Sequence, residues 1–307
     1  MIETMTDYSW LDADLRDFIR KTEAAYPTDA ARHDAAQQRV FYDTMCRLFD
    51  YPHPPDLRTE DRSVAGVPCR VYTPAEAAVG VTVIYYHGGG FVVGGLHSHD
   101  SICADLAAMA KVTLIAVDYR LSPEHKHPAA FDDAMAVAGA VAGPRVLAGD
   151  SAGGTLAAAV SAHLPGIGGQ VLIYPGLGGS PELPSYTRHA QAPLLTRDEC
   201  EYYVDAHFAG GRDEALGDPS AAPLRATTFA HIPPTAIFAA ECDPLASDAD
   251  EYAARLRAAG VPVTLMVEPG LVHGYLRARH MAAGARASFA RIAETLSALA
   301  IRAGAVQ

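Results

Sequence analysis

Short apolar runs that alternate with helical stretches constrain this chain more than any other feature. The runs are Pro68 to Tyr72, Val81 to Tyr86, Val112 to Val117, Arg145 to Ala148, Gln170 to Tyr174, Thr235 to Ala240 and Val261 to Val267. Between them lie helical stretches at Ser98 to Ala110, Pro128 to Ala142, Ala152 to Leu164 and Ala246 to Ala259, and a last one whose Phe289, Ile292, Leu296 and Leu299 share a face. Such alternation predicts a mainly parallel central sheet with helices on both faces. Two segments depart from it. Leu11, Leu15, Phe18 and Ile19, then Phe41, Met45, Leu48 and Phe49, recur at helical spacing, so the first sixty residues read as amphipathic helices without strands. Ser180 to Arg225 is rich in Pro, Gly, Asp and Tyr and reads as an excursion with one short helical stretch around Asp198 to Phe208. The expected division is therefore a helical segment over residues 1–60 and an α/β domain over 61–307, interrupted at about 180–225.

Composition narrows the function classes. The 307 residues are half hydrophobic, which suffices for one large core. A net charge of -12, from 36 acidic against 24 basic residues, argues against a nucleic-acid partner and reads as an aid to solubility. No apolar run approaches the ~18 residues of a spanning helix, and Met1 to Asp14 lacks the basic and apolar regions of a secretory signal. The expectation is a cytoplasmic protein without membrane contact. Cys46, Cys69, Cys103, Cys200 and Cys242 are scattered, with no Cys-x-x-Cys, and read as reduced, mostly buried thiols.

In open α/β sheets functional groups gather beyond the carboxyl ends of the strands. The fourth run leads into Gly149-Asp150-Ser151-Ala152-Gly153 and then a helix, a Gly-x-Ser-x-Gly turn that suits an exposed nucleophile. Taken alone, the pentapeptide fits a helix-capping serine equally well. After the second run comes His87-Gly88-Gly89-Gly90-Phe91, whose bare backbone N–H groups could approach a developing oxyanion. Asp243 follows the sixth run and His273 the seventh, which gives the chain order Ser, Asp, His of a serine hydrolase on this type of sheet. His280 is the nearest rival for the base, and Asp248 and Asp250 are the alternatives for the acid.

These motifs, with Asp118-Tyr119-Arg120-Leu121-Ser122-Pro123-Glu124-His125, make the chain resemble the bacterial hormone-sensitive-lipase-like esterases of the α/β-hydrolase fold along nearly its whole length. The resemblance implies Ser151 as nucleophile, His273 as acid and base, and Asp243 as its partner. It implies an oxyanion hole in the loop Gly88, Gly89 and Gly90 together with Ala152, with Gly88 flanking the donors. It further implies that residues 1–60 and the excursion form a helical cap, where Phe91, Tyr186 and Phe208 shape substrate access. The substrate it implies is a short-chain ester, roughly acetyl to hexanoyl, cleaved through an acyl-enzyme. His127, Ser247 and Thr155 depart from the family's usual residues, and Phe131 to Arg145 is shorter than usual, without touching the triad.

Metal chemistry fits poorly. In His97-Ser98-His99-Asp100 the adjacent Asp100 spoils a dinuclear pattern, and no Cys or carboxylate cluster completes His125-Lys126-His127. The glycines of 88 to 95 do not spell Gly-x-Gly-x-x-Gly, because Val93 stands in the way. The expectation is no metal and no organic cofactor. The rivals are the same triad acting on a lactone, thioester or amide, or a non-catalytic ligand-binding protein on this fold. The last run could pair two copies in a homodimer if it forms an exposed edge.

Overall fold

The computed structural model describes residues 7–27, 29–77 and 80–305. The chain opens with two helices, α1 (Ala13–Ala25) and α2 (Ala35–Arg47), followed by the strands β1 (Leu57–Val64), β2 (Val67–Pro74) and β3 (Thr82–Tyr86). Then come α3 (Asp100–Ala110), β4 (Thr113–Val117), α4 (Ala129–Ala140), β5 (Arg145–Asp150), α5 (Ala152–His163) and β6 (Ile167–Ile173). The excursion holds α6 (Pro184–Arg188), α7 (Arg197–His207) and α8 (Gly211–Gly217), after which β7 (Thr235–Cys242), α9 (Ala246–Ala258), β8 (Val263–Val272) and α10 (Ala283–Ala305) complete the chain.

The strands form one sheet in the order β1-β2-β4-β3-β5-β6-β7-β8, parallel from β4 to β8 and antiparallel at β1 and β2. Successive side chains of a strand point to opposite faces. In β3 this sends Val83 and Tyr85 into the core shared with α3, α10 and the N-terminal helices, and Ile84 and Tyr86 into the core shared with α4, α5 and α9. Both faces are covered, as a parallel sheet requires. The sheet is the mainly parallel one expected from the alternation, and the fold is the α/β-hydrolase type that the resemblance implies.

Three expectations need correction. The first sixty residues are not all helix, because Leu57 opens β1, a strand whose middle six residues are exposed. Its charged side chains hide any alternation, and pairing with β2 through a turn at Ala65 and Gly66, both with positive φ, makes it a strand nonetheless. The excursion holds α6 and α8 besides the stretch foreseen as α7. The last strand begins at Val263 and runs on to Val272, so His273 follows it directly. Residues 1–6 of the expected N-terminal segment lie outside the described residues. Among the described residues no helix is long and apolar enough to cross a membrane.

Candidate active site

Between the last residue of β5 and the first of α5 stands Ser151 alone, with φ 53 and ψ -120. A non-glycine residue at positive φ is strained, and the surrounding chain must hold it there. The glycines on either side explain how. A Cβ on Gly149 would lie 2.2 Å from the Gly153 carbonyl oxygen, and one on Gly153 would lie 1.9 Å from that of Tyr86. The Ser151 N–H donates to Ile173 O at 2.9 Å, which ties the turn to the neighbouring strand.

His273 and Asp243 reach this serine from the ends of β8 and β7. His273 Nε2 lies 2.9 Å from Ser151 Oγ, and Nδ1 lies 2.7 Å from Asp243 Oδ2. The carboxylate can only accept, so Nδ1 carries the proton and Nε2 is left to accept from the hydroxyl. Asp243 Oδ1 accepts the Leu245 N–H at 2.9 Å, which fixes the carboxylate plane. The Asp243 side chain is 1 % exposed and that of His273 is 12 %. The arrangement can move a proton off Ser151 Oγ and stabilise the imidazolium that results. The rivals are engaged elsewhere: His280 pairs with Asp105 at 2.9 Å, and Asp250 is exposed. Asp248 is buried and accepts the Leu177 and Gly179 N–H groups and the Tyr186 hydroxyl; burial pushes its carboxyl up to about 6.

The glycine loop needs one correction. Gly88 N–H donates to Asp150 Oδ1 at 2.9 Å, so Gly88 cannot serve an oxyanion and acts only as a fixed point of the loop. Gly89 and Gly90 have φ of 129 and 59. A Cβ on Gly89 would lie 2.2 Å from Val93 O, and one on Gly90 2.2 Å from the Tyr203 ring, so side chains are excluded at both. The N–H groups of Gly89, Gly90 and Ala152 have no acceptor among the described residues. Ala152 also heads α5, where the helix dipole favours negative charge.

Reading the sequence missed the buried network behind this loop. Asp150 Oδ1 accepts from Tyr85 Oη at 2.7 Å, and Oδ2 lies 3.3 Å from Tyr174 Oη and 3.4 Å from His99 Nε2. Burial works against its charge, but the neighbouring His99 ring, the Arg277 charge and the Tyr85 hydroxyl outweigh it and hold the carboxyl well below its ordinary value. From α2, Arg39 donates to Val92 O and Ser122 O and forks onto Glu124, which ties that helix to the glycine loop. The only forewarning was the position of Asp150 inside the nucleophile motif; Arg39 and Arg277 stand in no recognisable pattern.

A cavity of about 690 Å³ opens over Ser151, His273, Gly89 and Gly90. The N-terminal helices contribute Phe18, Tyr26 and Tyr42 to its lining, and the excursion contributes Tyr203. Phe91, Tyr186 and Phe208 also line it. Phe91 stacks on His207 with ring centroids 3.9 Å apart, and the Tyr186 hydroxyl is held by Asp248. No group of three or more His, Cys, Asp or Glu side chains is placed to hold a metal among the described residues. His97 pairs with Asp43, His99 approaches Asp150 and His127 pairs with Asp218, so these three histidines of the two suspect motifs face separate partners.

The family described as alpha/beta hydrolase fold matches residues 83–277. The esterase LipI of Mycobacterium tuberculosis is 40% identical over 260 residues, spanning 75% of this chain and 79% of its own. An ethyl acetate hydrolase of Pseudomonas putida is 33% identical over 298 residues, spanning 87% of this chain and 92% of its own. Among solved structures, the hyperthermophilic esterase from the archaeon Pyrobaculum calidifontis superposes with a TM-score of 0.85 at 30% identity, covering 95% of this chain and 99% of that one.

Proposed function

The chain belongs to the α/β-hydrolase fold family, and on that premise we propose that it hydrolyses short-chain carboxylic esters through an acyl-enzyme on Ser151. The observation that carries this reading is the hydrogen-bonded line Ser151 Oγ, His273, Asp243, with 2.9 and 2.7 Å links, at the floor of a cavity. His273 Nε2 takes the hydroxyl proton as Ser151 attacks the ester carbonyl. The tetrahedral oxyanion is met by the N–H groups of Gly89, Gly90 and Ala152. His273 then returns its proton to the leaving alcohol, and in the second half activates water against the acyl-enzyme. Asp243 holds the imidazole in the required tautomer and stabilises its charged form without itself taking the proton.

The name of the Pseudomonas putida relative supports a short acyl chain. Residues 1–60 and 180–225 act in this reading as a cap over the cavity, with Phe91, Tyr186 and Phe208 shaping access. The substrate is a small molecule, and the protein works in the cytoplasm with reduced thiols. Because β8 ends the sheet and leaves Val267 48% exposed, two copies are read as pairing along that edge. A chain-length series of simple esters tests the central claim. A maximum between acetyl and hexanoyl supports it, and a maximum at long chains or no hydrolysis at all rejects it.

A further inference from the structure

Arg277 lies in the short helical turn Tyr275–His280 that follows His273, and it lines the same cavity as Ser151 while being only 5% exposed. Its guanidinium carries five N–H donors and no acceptor. Nε donates to Cys46 Sγ at 3.3 Å. Nη2 is shared among Tyr42 Oη at 2.9 Å, Cys46 Sγ at 3.2 Å, and Ser98 O and His99 Nε2, each at 3.4 Å. These partners are a phenol, a thiol, a carbonyl and an imidazole; none is a carboxylate. Nη1 has no acceptor among the described residues, and it is not one of the enclosed unpaired atoms, so it opens on the cavity.

A buried guanidinium prefers an anionic acceptor with two oxygens, because charge-assisted, forked hydrogen bonds are what offset its desolvation. Service as counter-ion to Asp150 does not account for the open edge. The two residues form no ion pair, and the Asp150 oxygens already face Tyr85, Gly88, Tyr174 and His99. Tyr42 accepts from Nη2, so its own hydroxyl hydrogen remains for a ligand in the same lining. The acidic side chains of the lining do not fill this role: Glu199 closes the capping box of α7, Asp248 is held by two N–H groups and Tyr186, and Glu23 and Asp198 are exposed.

Resting on the ester-hydrolase reading above, we infer that the substrate is a short ester carrying a free carboxylate, bound with that carboxylate on Arg277 Nη1 and Tyr42 Oη and its ester carbonyl at Ser151. Arg277 stands four residues beyond His273, and it lines the same cavity as Tyr42 and Ser151, so one short ester carrying its carboxylate can meet all three.

The test compares charged esters with their neutral isosteres on the wild-type protein at neutral pH and low salt. Monoethyl glutarate against ethyl 5-methylhexanoate probes a carboxylate on the acyl side. The butyryl ester of 3-hydroxypropanoate against isoamyl butyrate probes the alcohol side. For at least one pair kcat/KM should favour the charged member by about tenfold or more, the gain of one hydrogen bond to a charged group, and salt should shrink that preference. In R277Q the ratio should collapse to one or below. R277K keeps the charge but loses the fork, and should lower the ratio partway, as should Y42F. Preference for the neutral member of both pairs in the wild type, or a ratio unmoved in R277K and Y42F, overturns the inference while leaving ester hydrolysis standing. Failure to hydrolyse even the neutral esters would instead sink the reading on which it rests.

Discussion

Asp150 is locked against Gly88. Its Oδ1 accepts the Gly88 N–H at 2.9 Å, and a Cβ on Gly88 would come within 2.5 Å of its Oδ2. The residue immediately before the nucleophile thus sets the position of the loop that carries Gly89 and Gly90. Two parts of the site that are 62 residues apart in sequence are joined by one carboxylate, and a shift of either is felt by the other.

Replacing Asp150 by Asn should therefore slow turnover although Asp150 meets no substrate. An amide keeps the shape but loses the charge that faces Arg277 and one of its acceptor oxygens. The expected loss in kcat is about 10²-fold, the scale of a misplaced oxyanion loop, with KM changing much less. Steady-state kinetics on a simple ester decide it, and an equal loss in both parameters would argue against a positioning role.

Asn at position 243 should cost more. It would present the wrong partner to His273 Nδ1 and favour the opposite tautomer, so that Nε2 no longer accepts from Ser151. The expected fall in kcat at neutral pH is about 10⁴-fold. A loss below tenfold would mean that Asp243 does not orient the imidazole.

The burial of Asp248 makes a statement about stability. With its carboxyl raised to about 6, the folded chain holds a proton there that the unfolded chain releases near the ordinary value of 3.8. The contribution is complete below that ordinary value and is lost as pH rises through 6, a window worth roughly 3 kcal/mol. D248N cannot ionise, so wild-type stability should fall relative to D248N across this window in denaturant titrations at each pH. Parallel curves would contradict it.

The sheet could be read from the sequence because β3 to β7 bury β-branched and apolar side chains on both faces. The two glycine motifs were visible because a Cβ on Gly149 or Gly153 would collide with backbone and the 89–90 turn takes positive φ, whereas Asp243 and His273 were legible only by their places after strands and in chain order. β1 escaped notice because Glu60, Asp61 and Arg62 face solvent at the sheet's edge, where charge guards against unwanted pairing. The Gly88 assignment failed because a loop motif names residues and not the direction of each N–H. Arg277 and Arg39 were hidden for a different reason: their partners come from elements remote in sequence, and no local spacing announces them.

Arg39 makes two kinds of contact. Its fork onto Glu124 is half in solvent, whereas Nε and Nη2 donate to the carbonyls of Val92 and Ser122 at 2.9 Å. E124Q should cost less than about 1 kcal/mol, as exposed pairs do. R39M leaves two carbonyls without a donor and should cost about 1–3 kcal/mol, with a fall in activity as α2 loosens from the glycine loop. Chemical denaturation measures both; equal costs would show that the carbonyl contacts contribute nothing.

Covalent capture of Ser151 tests the account most directly. Folded protein treated with a fluorophosphonate should gain one adduct per chain by intact mass, mapped to the peptide bearing Ser151, with the labelling rate collapsing in an H273A variant that remains folded. Absence of an adduct, an adduct on another residue, or an unchanged rate without His273 would contradict it.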